Sequence, residues 1–141
     1  MSQLSYEDLA TEILFNFCSS DIEKIDLKSL IKKAYQGFQK SEIVSIKQVG
    51  NINLLELYNG PTLAFKDIAL QVIGNMYDHL KVAKEKPVNI LVATSGDTGS
   101  AAIAALNDRE NINLFVLHPH NKISNIQRKI MTTIGSNNIY N

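Results

Sequence analysis

The sequence predicts an α/β protein with a parallel sheet and flanking helices. After residue 87, two apolar runs, VNILVA (88–93) and NLFVL (113–117), enclose the small-residue helical run SAAIAAL. Alternation of strand, helix and strand is typical of parallel strands joined by crossover helices. Before residue 87, apolar residues recur at helical spacing in three segments. A chain of 141 residues suits one domain with its own core.

Residues 1–42 are expected to form a helical N-terminal segment. Residues 5–18 read as a helix that Ser5 caps, and a second helix follows with Asp26 as its cap. The apolar stripe of the first helix consists of Leu9, Ile13, Leu14 and Phe17. The corresponding face of the second helix consists of Leu27, Leu30, Ile31 and Tyr35.

The remaining elements follow from changes in the hydrophobic period. Residues 43–60 hold two β-prone runs around Gly50, which predict a hairpin or an extended pair. Residues 61–141 are expected to contain a lysine-bearing helix, capped by Thr62 and ended by Pro87, and then a βαβ unit. The apolar run VNILVA predicts a strand buried on both faces. Together, residues 1–141 are expected to form a single partial domain.

Composition excludes several classes of function. The formal net charge is zero, which argues against binding to nucleic acid or to an anionic membrane surface. No apolar run approaches the roughly 20 residues of a membrane-spanning helix. A single cysteine, Cys18, cannot form an internal disulfide and is expected in the core. The N-terminal residues are polar and acidic, unlike a secretory signal, so we expect a cytoplasmic protein.

Lys66 is the first candidate for chemistry, in the stretch ELYNGPTLAFKD (56–67). If Thr62 caps a helix, the ammonium group lies in its first turn, where the helix dipole disfavours a cation. The neighbouring residues 63–65 are apolar and would remove water from the amine. Both effects favour the neutral amine, which is the form that attacks a carbonyl group. A lysine that merely extends to solvent is the alternative.

The second candidate is the stretch ATSGDTGSAA (93–102), where a strand runs into a helix N-terminus. Free N–H groups at such a turn can hold a phosphate or a carboxylate, and a plain tight turn is the alternative. The run that begins at Asp97, DTGS, also resembles the signature of aspartic proteases, in which two aspartates share a proton. That interpretation is disfavoured because residues 101–106 read as a helix, whereas those proteases are all-β proteins.

Other polar residues leave their roles open. His118 and His120 flank a proline and suggest a metal, but no third ligand is evident, so a turn at a strand end is preferred. Lys122, Arg128 and Lys129 either face solvent or help to hold a phosphorylated substrate, and the sequence favours neither.

The motifs carry a specific family resemblance. ELYNGPTLAFKDIALQ resembles the lysine-bearing signature of threonine synthases, and LVATSGDTGSAA resembles their second signature at a matching distance. LHPHNKISNIQRKIMTTIGSNNIYN is similar to the segment that follows in that family, and LSYEDLATEILFNF to the region ahead of the lysine. The resemblance therefore covers nearly the whole chain.

The resemblance implies a fold-type-II enzyme, with an architecture like that of the tryptophan synthase beta chain, that uses pyridoxal 5′-phosphate. Its members convert O-phospho-L-homoserine and water to L-threonine and phosphate. Lys66 matches their Schiff-base lysine, which also shuttles protons, and Asp97 falls where relatives place a residue beside the cofactor ring. The loop that grips the substrate carboxylate would be formed by Thr94, Ser95, Gly96 and Thr98.

The chain departs from that family in length. Relatives continue beyond the position of Asn141 into the cofactor's phosphate-binding loop and a second lobe, so this chain would supply one wall of the cleft. We therefore expect a complementing C-terminal polypeptide, or self-association, to cover unpaired surfaces. The alternative function is that of a non-catalytic, truncated remnant with at most residual binding.

Overall fold

A computed structural model of the protein describes residues 4–80 and 86–141. The elements in chain order are α1 (Tyr6–Cys18), α2 (Lys24–Tyr35), β1 (Ser45–Val49), β2 (Ile52–Glu56), α3 (Asp67–Leu80), β3 (Val88–Ala93), α4 (Asp97–Leu106), β4 (Ile112–Leu117), α5 (Asn125–Thr132) and β5 (Ile139–Tyr140). The predicted stretch of the lysine helix between Leu80 and Lys86 lies outside the described residues. Within the described residues, no helix is long and apolar enough to cross a membrane.

The predicted parallel sheet is confirmed. Its three strands lie in the order β3-β4-β5, and both pairings are parallel. β4 presents Ile112, Leu114 and Val116 to the small-residue helix α4, and the 0% exposed Met131 of α5 completes this core. Alanines on α4 keep the helix close to the sheet, which positions the carboxyl ends of the strands beside the N-terminus of α4.

The expectation that β3 is buried on both faces is wrong for this structure. Exposure alternates along β3, and Leu91 is 66% exposed. The same face of the sheet carries Phe115 and Tyr140, whose rings stack with centroids 4.8 Å apart, together with Leu117. α4 and α5 cover only the opposite face. The described residues, 4–80 and 86–141, therefore leave this apolar face of the sheet uncovered.

The two N-terminal helices are confirmed, with two corrections. Ser5 caps α1 as predicted, since its side chain accepts a hydrogen bond from the Asp8 amide. The predicted stripe of α1 is wrong, because its members are largely solvent-exposed except for Leu14. The residues of α1 that pack against α2 are shifted around the helix, and they are Tyr6, Ala10, Leu14, Phe15 and Cys18.

α2 buries its predicted face but begins earlier than predicted. It starts at Lys24 after Glu23, so Asp26 lies inside the first turn, where its charge favours the helix dipole. The buried Tyr35 hydroxyl donates a hydrogen bond to the carbonyl of Ile68 at 3.2 Å, and burial raises the pKa of Tyr35. This bond ties the end of α2 to the first turn of α3.

Arg109 joins α3 to α4. Its guanidinium donates to the carbonyl of Ala105 at 2.7 Å and to the side chain of Asn75 at 3.1 Å, and it pairs with Asp78. A Cβ atom on Gly74 would lie 2.8 Å from the guanidinium, so the absence of a side chain there makes room for it. The second half of α3 is therefore held against the C-terminal end of α4.

The predicted hairpin is also confirmed. β1 and β2 pair in antiparallel register around Gly50, which adopts a positive φ of 60°. Its apolar side chains are largely exposed, and they are Ile46, Val49, Ile52, Leu54 and Leu55.

Candidate functional site

The segment that carries Lys66 is a series of turns and not the start of a helix. The amide of Leu63 donates to the carbonyl of Gly60, and the amide of Asp67 donates to the carbonyl of Ala64. Leu63 adopts a positive φ of 62°, which an α-helix does not permit. The prediction that Thr62 caps the helix and that Lys66 lies within its first turn is therefore wrong.

Asp67 explains why the chain turns here. Its side chain is 0% exposed, and its two carboxylate oxygens accept hydrogen bonds from the amide and the hydroxyl of Thr62, both at 2.8 Å. A Cβ atom on Gly60 would overlap this carboxylate, so glycine is required at that position. The carboxylate thus closes a loop of residues 60–67 directly beside Lys66.

A second buried side chain fixes the other end of this loop. Asn59 is 2% exposed, and its amide donates to the carbonyls of Glu42 and Ile43 at 3.1 and 3.4 Å. Neither Asn59 nor Asp67 was predicted from the sequence to hold this loop. The position of Asn59 ahead of a Gly-Pro turn was the signal that could have identified it. The spacing of five residues between Thr62 and Asp67 gives little indication of a closed loop.

Lys66 lies at the N-terminal end of α3, one residue before its first helical residue. Its carbonyl accepts the hydrogen bond of the Leu70 amide at 3.0 Å, so the positive end of the helix dipole is still close to the amine. The side chain is half-buried, and Nζ lies 4.2 Å from the centroid of the Phe65 ring. Leu63 and Phe65 are more than half exposed, so they remove less water from the amine than predicted.

Lys66 and Thr98 line one cleft of about 410 Å³. Its other walls are apolar and come from the loop before α3, the first turns of α3 and the end of β2. They are Leu57, Phe65, Ile68, Ala69 and Leu70. An amine on an apolar floor, facing the first turn of another helix, suits a flat ring with an anionic substituent.

The turn at the N-terminus of α4 is built around the hydroxyl of Thr94. Its Oγ1 accepts hydrogen bonds from the amides of Gly96 and Gly99, at 3.0 and 2.9 Å. Gly96 adopts a φ of 146°, and a Cβ on Gly99 would overlap the methyl group of Thr94. Thr94 therefore caps α4 from outside the helix. Its hydroxyl occupies two of the N–H groups that the sequence predicted would hold an anion.

Replacing Thr94 with valine is expected to lower the free energy of unfolding by about 1–2 kcal/mol. Valine keeps the methyl group and the branched shape of threonine but leaves two amides without their acceptor. Chemical denaturation of the variant, with Thr94→Ser as the control that retains the hydroxyl, measures the effect. Equal stability of the valine variant and the natural protein would contradict the capping role.

Three backbone amides of this turn remain available to a ligand. Within the described part of the chain, the amides of Ser95, Asp97 and Thr98 have no acceptor. Thr98 reaches the cleft that Lys66 lines, whereas Ser95 and Asp97 do not line it. The carboxylate of Asp97 is directed to α5, where its Oδ1 accepts a hydrogen bond from Gln127 Nε2 at 2.7 Å. Sequence reasoning did not single out Gln127.

The other residues named from the sequence lie apart from the Lys66 cleft. His118, His120 and Arg128 line a second cleft of about 520 Å³ beyond the end of β4. Within residues 4–80 and 86–141, no three histidine, cysteine, aspartate or glutamate side chains lie together so that they could hold a metal ion. The aspartic-protease interpretation of Asp97 is wrong, because this residue opens a helix behind a parallel strand.

Comparison with known proteins identifies the relatives of this arrangement. The family model described as "Threonine synthase N terminus" matches residues 1–35. Threonine synthase of Pseudomonas aeruginosa is 42% identical over 139 residues, which are 98% of this chain and 30% of that protein. The chain thus spans about 30% of the length of the curated relatives that it matches.

Solved structures that resemble this fold are also threonine synthases. The crystal structure of yeast threonine synthase superposes with a TM-score of 0.85 at 38% identity, over 98% of this chain and 30% of that one. The pyridoxal-phosphate-bound threonine synthase of Brucella melitensis gives 0.84 at 36% identity, over 96% of this chain and 30% of that one. The α/β architecture is therefore that of part of a fold-type-II enzyme. By sequence and by structure, the chain is similar to the N-terminal region of threonine synthases.

Proposed function

We propose that this chain supplies one wall of a pyridoxal 5′-phosphate site that converts O-phospho-L-homoserine and water to L-threonine and phosphate. The observation that carries the proposal is the single cleft lined by Lys66 and Thr98 in a chain related to threonine synthases. The residues present fit the cofactor, since the amine lies on an apolar floor, and the same cleft is lined by Thr98, whose backbone amide has no acceptor among the described residues.

In the proposed site, Lys66 Nζ is the point of covalent attachment and then the group that moves protons at the α and β carbons of the substrate. When bound, the cofactor would supply an electron sink for this chemistry. The half-buried side chain of Lys66 lies against the Phe65 ring and lines the cleft that the substrate would enter.

The α4 turn is proposed to bind the substrate carboxylate. The amides of Ser95, Asp97 and Thr98 have no acceptor among the described residues and lie at a helix N-terminus, where an anion is favoured. Thr94 and Gly96 are proposed to shape this turn, because the hydroxyl of Thr94 is already engaged with backbone amides. The carboxylate of Asp97 is proposed to lie beside the cofactor ring.

We also propose that a further polypeptide, or a second copy of the chain, completes the cleft. The uncovered sheet face, with Leu91 and Leu117 more than half exposed, supports a partner that buries apolar surface. The cytoplasmic location stays a prediction from the sequence.

The proposal is tested by supplying O-phospho-L-homoserine and pyridoxal 5′-phosphate to the purified protein, with and without a C-terminal partner polypeptide. We expect phosphate and threonine to be released in equal amounts, and only in the presence of the cofactor. Cofactor binding with no product under either condition would favour the non-catalytic alternative. Absence of both binding and turnover would refute the proposed function.

A further inference from the structure

Gln127 joins the N-terminus of α5 to the N-terminus of α4. Its amide nitrogen donates to Asp97 Oδ1 at 2.7 Å, and its Oε1 accepts hydrogen bonds from the hydroxyl and the amide of Ser124, at 3.0 and 3.4 Å. The backbone amide of Gln127 donates in turn to Ser124 Oγ at 3.2 Å. One side chain therefore completes the capping box of α5 and holds a carboxylate of α4.

The orientation of the Gln127 amide is determined by these partners. If its nitrogen and oxygen were exchanged, the oxygen would face the carboxylate of Asp97, and the capping box would lose its acceptor. Gly96 makes this arrangement possible, because a Cβ atom there would overlap the side-chain amide of Gln127. The turn, the aspartate and the glutamine thus form one packed unit.

We propose that Gln127 is a positioning residue, which orients the Asp97 carboxylate for a ligand at the α4 turn. It occupies Oδ1 of Asp97, whereas Oδ2 accepts no hydrogen bond from residues 4–80 or 86–141. Because Asp97 is an exposed residue, Oδ2 is available to a ligand group that donates a hydrogen bond. The inference rests on the proposed function only in taking that ligand to be pyridoxal 5′-phosphate.

Gln127→Glu separates positioning from capping. Glutamate is a regular capping-box residue, so its carboxylate still accepts the hydrogen bonds of Ser124. The same carboxylate cannot donate to Asp97 and repels it. We expect the affinity for pyridoxal 5′-phosphate, measured by spectral titration, to fall about fivefold at neutral pH.

The double variant that combines Gln127→Glu with Asp97→Asn reverses the direction of the hydrogen bond. The introduced asparagine would donate through its nitrogen to the introduced glutamate and keep its oxygen for the ligand. We expect this variant to recover the cofactor affinity to within about twofold of that of the natural protein. The proposal is overturned if Gln127→Glu binds the cofactor as the natural protein does, or if the double variant binds no better than the single one.

A second readout keeps the inference separate from the proposed function. In denaturation without cofactor, Asp97→Asn is expected to destabilise the natural protein and to stabilise the Gln127→Glu variant, because the two side chains interact directly. If Asp97→Asn has these opposite effects on stability but the protein binds no pyridoxal 5′-phosphate, the proposed function is refuted and the contact between the two side chains is not. Strictly additive effects of the two substitutions would refute the inference.

Discussion

Replacing Lys66 with alanine is expected to abolish covalent attachment of pyridoxal 5′-phosphate and all turnover of O-phospho-L-homoserine. The reason is chemical, since the proposed site uses the Lys66 amine both to hold the cofactor and to move protons. Visible absorbance of the protein after incubation with the cofactor and removal of the excess measures attachment. Product analysis measures turnover.

Two control variants separate this chemistry from folding. Lys66→Arg retains the positive charge near the Phe65 ring but has no amine able to bond to the cofactor, so it should behave as the alanine variant does. Lys47→Ala removes an exposed lysine from β1 and should leave absorbance and turnover unchanged. A Lys66→Ala protein that keeps the absorbance of the attached cofactor would contradict the assignment.

Asp67→Ala is expected to have the largest effect on stability, a loss of about 3 kcal/mol in the free energy of unfolding. The substitution leaves the amide and the hydroxyl of Thr62 without an acceptor and empties the space beside Gly60. The loop that presents Lys66 would lose its closure, so cofactor attachment should fall as well. Chemical denaturation and the visible absorbance of the same preparation measure the two effects.

Substitutions of Thr62 provide the matched comparison. Thr62→Ser keeps both hydrogen bonds to Asp67, whereas Thr62→Val keeps only the one from the backbone amide. The serine variant should therefore be close to the natural protein, and the valine variant should lie between it and Asp67→Ala. If Asp67→Ala unfolds at the same denaturant concentration as the natural protein, the loop does not depend on this carboxylate.

The elements that follow from local sequence signals were predicted most accurately. The bounds of β3 agree with the apolar run VNILVA, and Ser5 caps α1 as its spacing to Asp8 predicts. The hairpin around Gly50 was also predicted, because glycine permits the positive φ that its turn requires. In each case, the residues that determine the element are neighbours in the sequence.

Predictions failed where partners distant in the sequence decide the outcome. An apolar strand predicts burial on both faces, yet the described residues cover only one face of the sheet. In α1, the face that packs is set by contact with α2, and the predicted stripe remained exposed. The period of a sequence indicates that a face is apolar but not whether another element lies against it.

The candidate site shows the same division. The motifs around Lys66 and the α4 turn were found from residue types alone, and both Lys66 and Thr98 line one cleft. The residues that hold those motifs in place were not predicted, because their partners are distant in the sequence. Asn59 donates hydrogen bonds to the carbonyls of residues 42 and 43, and Gln127 donates one to Asp97, thirty positions away. Buried or bridging polar side chains have no periodic signal, and only the fold identifies their partners.

The most direct test of the central claim is to locate the lysine to which pyridoxal 5′-phosphate binds. Borohydride reduction of the cofactor-treated protein makes the linkage permanent, and mass spectrometry of its peptides then identifies the modified residue. The predicted result is one pyridoxyl group per chain, on the peptide that contains Lys66. Modification of other lysines in a protein whose Lys66 stays unmodified would contradict the account.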